Sequence, residues 1–321
     1  MNQSNTFRLF IIAAIALLVV IFFSPIWWVS LKAPNYPPEA FPDGIRIHFH
    51  INAVFNGCKQ VENKEIYEAE ALDCVHEMNT INHYIGMYPL ASGGPIERAL
   101  GNFLFAFLGV LLLAFMMKER KSQAGALAIS FIAITIWAYV ALFTEGGISL
   151  MSEGYQQSLL SSMELEKEEI QQWSGIQAIQ KSYSDAISFY FGETDVERKL
   201  DILITAIYTV IGFLGMAMII FIVGILLKNR FFYWLLLIIP LLLPVFFMME
   251  LTGWLWWFGH SLNEMGAFSV KPFMPTVFGN GKVAQFTTYS YPHYGFALMV
   301  LFSLLLAIAG LLRRKQLKTG G

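Results

Sequence analysis

Six long apolar stretches, at about 9–30, 99–117, 124–143, 202–227, 231–258 and 294–312, run through the chain. Each is near or above the ~20 residues that an α-helix needs to cross the hydrocarbon core of a bilayer. Only 14% of the 321 residues are charged and 56% are hydrophobic, whereas soluble domains carry about 25% charged residues. The reading is an all-α membrane protein: one membrane domain of six transmembrane helices, its partner the lipid bilayer. Nothing basic or repetitive points to nucleic acid.

The net charge of −2 says little, but its distribution orients the chain. Arg8, then Lys118, Arg120 and Lys121, then Lys228 and Arg230, then Arg313, Arg314, Lys315 and Lys318 occupy short loops and a tail on one side, with Glu119 the single acid among them. The positive-inside rule puts both termini in the cytoplasm of a bacterial inner membrane, and an even number of spans agrees. Three longer segments, 31–98, 144–201 and 259–293, then lie in the periplasm. The first stretch continues through Ser24-Pro25-Ile26-Trp27-Trp28 with no small-x-small cleavage site, so it reads as an uncleaved anchor with an interfacial Trp pair.

The outer segments read as a small mixed α/β cap. Ile45-Arg46-Ile47-His48-Phe49-His50-Ile51-Asn52 alternates strictly, which predicts a half-buried strand. A turn at Asn56-Gly57 and an acidic stretch, 62–77, with further strand or a short helix follow. In the second segment, Ser161-Ser162-Met163-Glu164 has capping-box spacing. Beyond it Trp173, Ile176, Ile179, Tyr183 and Ile187 recur at helical spacing. The third segment, with Lys271-Pro272-Phe273-Met274-Pro275 and Gly279-Asn280-Gly281, reads as irregular chain folded over the helix ends.

All six histidines and both cysteines fall on this one side. His48 and His50, two apart on a strand, point the same way with Cα atoms ~6.6 Å apart, a spacing that lets two imidazoles share a metal ion. The alternative is a polar strand face with incidental histidines. His83 and Met87 share a face if 82–87 is helical, and imidazole plus thioether suits Cu(I) or a haem axial position; Gly86 weakens that helix. His260 ends the fifth apolar stretch and His293 begins the sixth, ringed by Trp254, Trp256, Trp257, Tyr291 and Tyr294. With His83 they are expected to close one site at the membrane surface.

Cys58 and Cys74, in an oxidising compartment, are expected to form a disulfide, with thiolate ligation beside His76 and Met78 as the rival. No Cys-x-x-Cys-His is present, so covalent c-type haem is not expected. No histidine lies inside a span, which leaves no ligands for a mid-membrane b-type haem, and no GxxxxGK[ST] loop is present to power transport. Glu250 is the one acid within an apolar run, and Pro240 and Pro244 should kink that helix. No catalytic residue stands out.

At Asn82-His83-Tyr84-Ile85-Gly86-Met87, and at Lys271-Pro272-Phe273-Met274-Pro275 with Ala284-Gln285-Phe286 and Ser290-Tyr291-Pro292, the chain resembles a family of bacterial multi-span proteins encoded in nitrous oxide reductase gene clusters, alongside copper-handling genes. The resemblance covers about a third of the chain. It implies an accessory role in making, or supplying electrons to, a periplasmic copper enzyme. His83, Met87 and His260 match the family's pattern; the cysteine pair and His48-x-His50 do not.

The expected function is therefore copper handling on the periplasmic side, with a copper enzyme such as nitrous oxide reductase or other copper-handling proteins as partners. His83, Met87, His260 and His293 are expected to hold the ion, and His48 and His50 to pass it in or out. A membrane redox component carrying electrons from quinol is the first rival. A permease subunit lined by Asn102, Thr135, Thr205, Tyr208 and Glu250 is the second.

Overall fold

The first apolar stretch does not stay helical to its end. In a computed structural model of the chain, which describes residues 3–59, 72–192, 196–283 and 285–319, α1 (Gln3–Phe22) stops before Ser24-Pro25 and a strand, β1 (Trp27–Lys32), follows. Proline disfavours helix in the residue before it and carries no N–H to continue the ladder. The aromatic and β-branched run Trp27-Trp28-Val29 then suits a pleated surface. The expected helix to residue 30 with an interfacial Trp pair is thus corrected. Trp27 is buried beneath a sheet and its indole N–H donates to Ser290 Oγ at 2.9 Å.

The chain then lays down β2 (Ile45–Phe49) and β3 (Val54–Asn56), and after the expected acidic stretch, whose residues 62–71 lie outside the described ones, α2 (Cys74–Tyr84). Asp73 caps α2, accepting from the N–H groups of Val75 and His76. Next come α3 (Pro95–Met116), with proline in its first turn, and α4 (Arg120–Phe143). A polar helical group follows: α5 (Glu153–Met163), α6 (Lys167–Ile170) and α7 (Gly175–Phe191). The spacing at Ser161–Glu164 starts no helix; it ends α5, with Glu164 left-handed at the cap. The capping boxes lie instead at Glu166/Glu169 and Ser174/Gln177. The apolar stripe of α7 is as expected, with Ile179, Tyr183 and Ile187 buried.

After α8 (Val196–Leu226), the fifth apolar stretch forms two helices, α9 (Arg230–Leu241) and α10 (Leu243–His260), bent by 59° at Leu242. Pro240 and Pro244 flank the break, as the sequence predicts. The third long segment is not irregular throughout. It supplies β4 (Gly279–Val283) and β5 (Phe286–Pro292) before α11 (Tyr294–Thr319).

The five strands among the described residues form one antiparallel sheet in the order β3-β2-β1-β5-β4, so strands from opposite ends of the chain meet at its centre. Among the described residues four helices are long and apolar enough to cross a membrane, and a fifth span results if the bent pair counts as one. The apolar part of α1, Thr6–Phe22, is shorter. This is a membrane protein by helix length and composition. On α1 the buried residues Phe7, Ile11, Ala14, Leu18 and Ile21 alternate steps of four and three, matching the buried Met299, Phe302, Leu306 and Ala309 of α11. Leu9, Ile12, Val19 and Val20 of α1 are exposed, the pattern of a helix with one packed stripe and one face left for lipid.

At the end of the bundle away from the sheet, Arg313 donates to Tyr233 Oη at 2.7 Å and lies 5.1 Å from the Phe7 ring centroid, while Arg120 lies 4.6 Å from that of Tyr233. The chain start, the α3–α4 turn and the last helix therefore share one end.

Candidate functional site

The two faces of the sheet have different chemistry because strand side chains alternate. Ile45 and Ile47 of β2 and Trp27 of β1 are buried on one face. Trp28 faces the other way, opposite His48 on one side and Tyr291 on the other. Its ring lies 5.4 Å from that of Tyr291 and 4.1 Å from the Arg46 guanidinium.

At the edge of this polar face nearest the helices, His48 and His293 meet edge to face with ring centroids 5.1 Å apart. The main chain sets this up. Ile26 N–H donates to Phe49 O at 2.8 Å, and His293 N–H donates to Ile26 O at 2.9 Å, so Ile26 extends the ladder between the ends of β2 and β5. His50 follows one step beyond β2, its ring 4.7 Å from Phe55. Burial pushes the pKa of His48 down to about 4, with Arg46 and His293 adding to the shift. His50 is likewise pushed down to about 4, by burial first and then by the charges of His48 and His293. His293 is lowered by burial and by Arg46. All three imidazoles are therefore neutral at neutral pH, the form that binds metal. His48 Nε2 is buried without a hydrogen-bond partner, and the main chain at Gly57 packs close against it, since a Cβ there would stand 3.0 Å from Nε2.

The other expected ligands do not join them. Gly86, left-handed at φ +77, ends α2 in a Schellman arrangement in which Met87 N–H reaches Asn82 O at 2.8 Å. Met87 is therefore past the helix and does not share a face with His83. The His83 ring lies 5.6 Å from Tyr190 and 5.2 Å from Phe191 of α7. His260 is exposed, stacked at 4.5 Å on Trp256, its Nδ1 2.8 Å from Trp256 O. Among the described residues no three His, Cys, Asp or Glu side chains gather closely enough to hold one ion. Among the described residues His83, His260 and His293 do not gather at one point: β5 draws His293 to the sheet, and α7 covers His83. What remains is a histidine pair with a third imidazole behind it.

No family model, curated protein or solved structure matches this chain.

Cys58 and Cys74 form a disulfide, with Cα atoms 6.0 Å apart. Asn56 aligns its two ends, its side-chain oxygen accepting from Cys58 N–H at 3.0 Å and Cys74 N–H at 3.3 Å. His76, beside them, is exposed. Of the residues considered as a permease lining, Thr205 and Tyr208 are exposed on α8. Thr135 hydrogen-bonds back to Phe131 O at 2.8 Å. Glu250 stands by Gly94 and Glu97 at the start of α3, where Arg98 donates to the carbonyls of Ala91 and Gly94.

The apolar face of the sheet, α2, the last turns of α10 and the chain around 268–276 enclose a cavity of 890 Å³. Its walls include Ile47, Phe49, Met78, Ile81, Leu255 and Phe258. The signal was present in β2, where Ile45, Ile47 and Phe49 form an apolar strand face.

Proposed function

We propose that this protein is a bacterial inner-membrane accessory protein that handles copper at its periplasmic, sheet-bearing face in support of a copper enzyme such as nitrous oxide reductase. The observation that carries this reading is the His48–His293 pair: two neutral imidazoles 5.1 Å apart, one with a buried, unpartnered nitrogen. His48 and His293 hold the ion and His50 stands behind them. Imidazole nitrogens suit copper, and a site of so few ligands favours transfer over retention. The Nδ1 of His293 accepts from Tyr294 N–H at 2.9 Å. Ligation through Nε2 leaves the ring proton on Nδ1 and exchanges that bond for one to a carbonyl or water.

The topology proposed with it has six spans, α1 completing the set against α11, and both termini in the cytoplasm. Arg8, Arg120, Arg230 and Arg313 at the end opposite the sheet support that orientation. The resemblance to proteins of nitrous oxide reductase gene clusters supports the partner.

Copper(I) titration against a chromophoric chelator tests the reading on detergent-purified protein. The His48→Ala/His293→Ala variant should bind more weakly than wild type, by more than the roughly 10- to 100-fold that loss of an outer-shell partner costs. His83→Ala/His260→Ala should bind as wild type does. Equal affinity in all three, or no binding in any, would overturn the site. A Soret band in the purified protein would favour electron transfer from quinol instead.

A further inference from the structure

We infer that the 890 Å³ cavity between the sheet and α10 is a binding site for the acyl chain of a membrane phospholipid. Its volume falls within the range of about 300–1,000 Å³ typical of small-molecule sites. No Asp, Glu, Lys, Arg or His lines it among the described residues, so what it encloses is uncharged. A mostly apolar space of this size, open on one side, suits an apolar occupant that enters from that side.

The position of the mouth names the source. Phe268 and Tyr84 both line the cavity, yet they are 65% and 52% exposed, and Phe268 N–H donates to Tyr84 O at 3.1 Å. The opening therefore lies at this contact. The chain that lines this mouth also exposes Met265 and Met274. Large apolar side chains exposed within one short segment, next to a membrane-length helix pair, suit a surface that rests on lipid. The opposite wall is the last turns of α10, the second half of that bent pair. Lys271, exposed between the lining residues Val270 and Phe273, gives the same rim a cation for a phosphate headgroup. A chain entering from the bilayer thus keeps its charged head at the rim and its hydrocarbon inside.

The test reconstitutes the full-length protein into phosphatidylglycerol vesicles doped with a phospholipid bearing a diazirine at its acyl terminus. After illumination, cross-linked peptides are mapped by mass spectrometry. Label is expected on α2 and α10 residues that line the cavity, Met78, Ile81 and Phe258, as well as on the exposed face of α8. Filling the cavity by Ile81→Trp, or independently by Met78→Trp, should cut the α2 and α10 label about fivefold or more and leave the α8 label unchanged; that unchanged label also reports a folded protein. Label on α8 with none on the cavity peptides would overturn the inference. So would label unaffected by either Trp variant when α8 is labelled normally, or a stoichiometric isoprenoid quinone recovered from the wild-type protein in place of phospholipid. Copper binding plays no part in this readout, so the two proposals fail separately.

Discussion

His48 and His293 face each other edge to face at 5.1 Å because the strands that carry them flank β1 on opposite sides. Neither residue's neighbourhood in sequence predicts the other. The central strand is what the Ser24-Pro25 break releases from the first apolar stretch, so a single helix-ending proline makes the pair possible.

Stability should fall with pH through the weakly acidic range. His48 and His50 are pushed down to about 4 from an ordinary 6.5. Between those values the unfolded chain binds more protons than the folded one, so stability rises with pH there and is lost as pH drops from about 6.5 towards 4. With a chelator present to remove bound metal, the melting temperature in detergent should drop between neutral pH and about pH 5. A His48→Asn/His50→Asn variant should show a shallower drop; an equal slope in both would remove these residues as its cause.

The disulfide between Cys58 and Cys74, 16 positions apart, holds the start of α2 against the sheet. Closing a loop of that length stabilises by roughly 3 kcal/mol, through lost freedom of the unfolded chain. Cys58→Ala/Cys74→Ala should melt lower by an amount of that order, and reduction of the wild type should reproduce the loss. An unshifted melt after alkylation confirms complete reduction would show that Asn56 and the capped α2 suffice alone.

Much of this was legible in the chain, and what was not has a physical reason. The apolar stretches gave the helices, Pro240 and Pro244 the bend, and the period-2 run at Ile45–Phe49 its strand, because each is a local pattern. The tail of the first stretch differs from its helical expectation because Trp27, Trp28 and Val29 are as apolar in a strand as in a span. Phe286–Tyr291 is rich in aromatic and β-branched residues, a strand signal masked by its proline and glycine neighbours. Which histidines meet is not a local property, because it depends on which strand draws His293 and which helix covers His83. Those are tertiary facts with no periodicity to announce them. The cavity belongs to the same class: each wall is legible, but not their separation.

Gly86 is required twice over. Its φ of +77 ends α2, and a Cβ there would run into the carbonyl oxygen of Asn263, whose N–H donates to Gly86 O at 2.8 Å. Substitution at such a position costs more than the about 0.4–1 kcal/mol that glycine's freedom alone represents. Gly86→Ala should lower the melting temperature and speed proteolysis within 261–276, while Gly109→Ala, where a Cβ meets nothing within 4 Å, should do neither. Equal behaviour of the two variants would separate the loop's hold from this turn.

The bend at Leu242 leaves a carbonyl to be satisfied from another helix. In an unbroken helix Val245 N–H would serve Leu241 O, but it bonds Leu242 O at 2.9 Å instead. Ser303 of α11 takes its place, its hydroxyl donating to Leu241 O at 2.7 Å. Hydrocarbon offers no water as a substitute, so Ser303→Ala leaves the carbonyl bare at a cost of about 1–3 kcal/mol. Ser303→Thr keeps the hydroxyl and should lose much less. Denaturation in mixed micelles compares the three proteins, and an Ala variant as stable as wild type would mean that the kinked pair is held by side-chain packing alone.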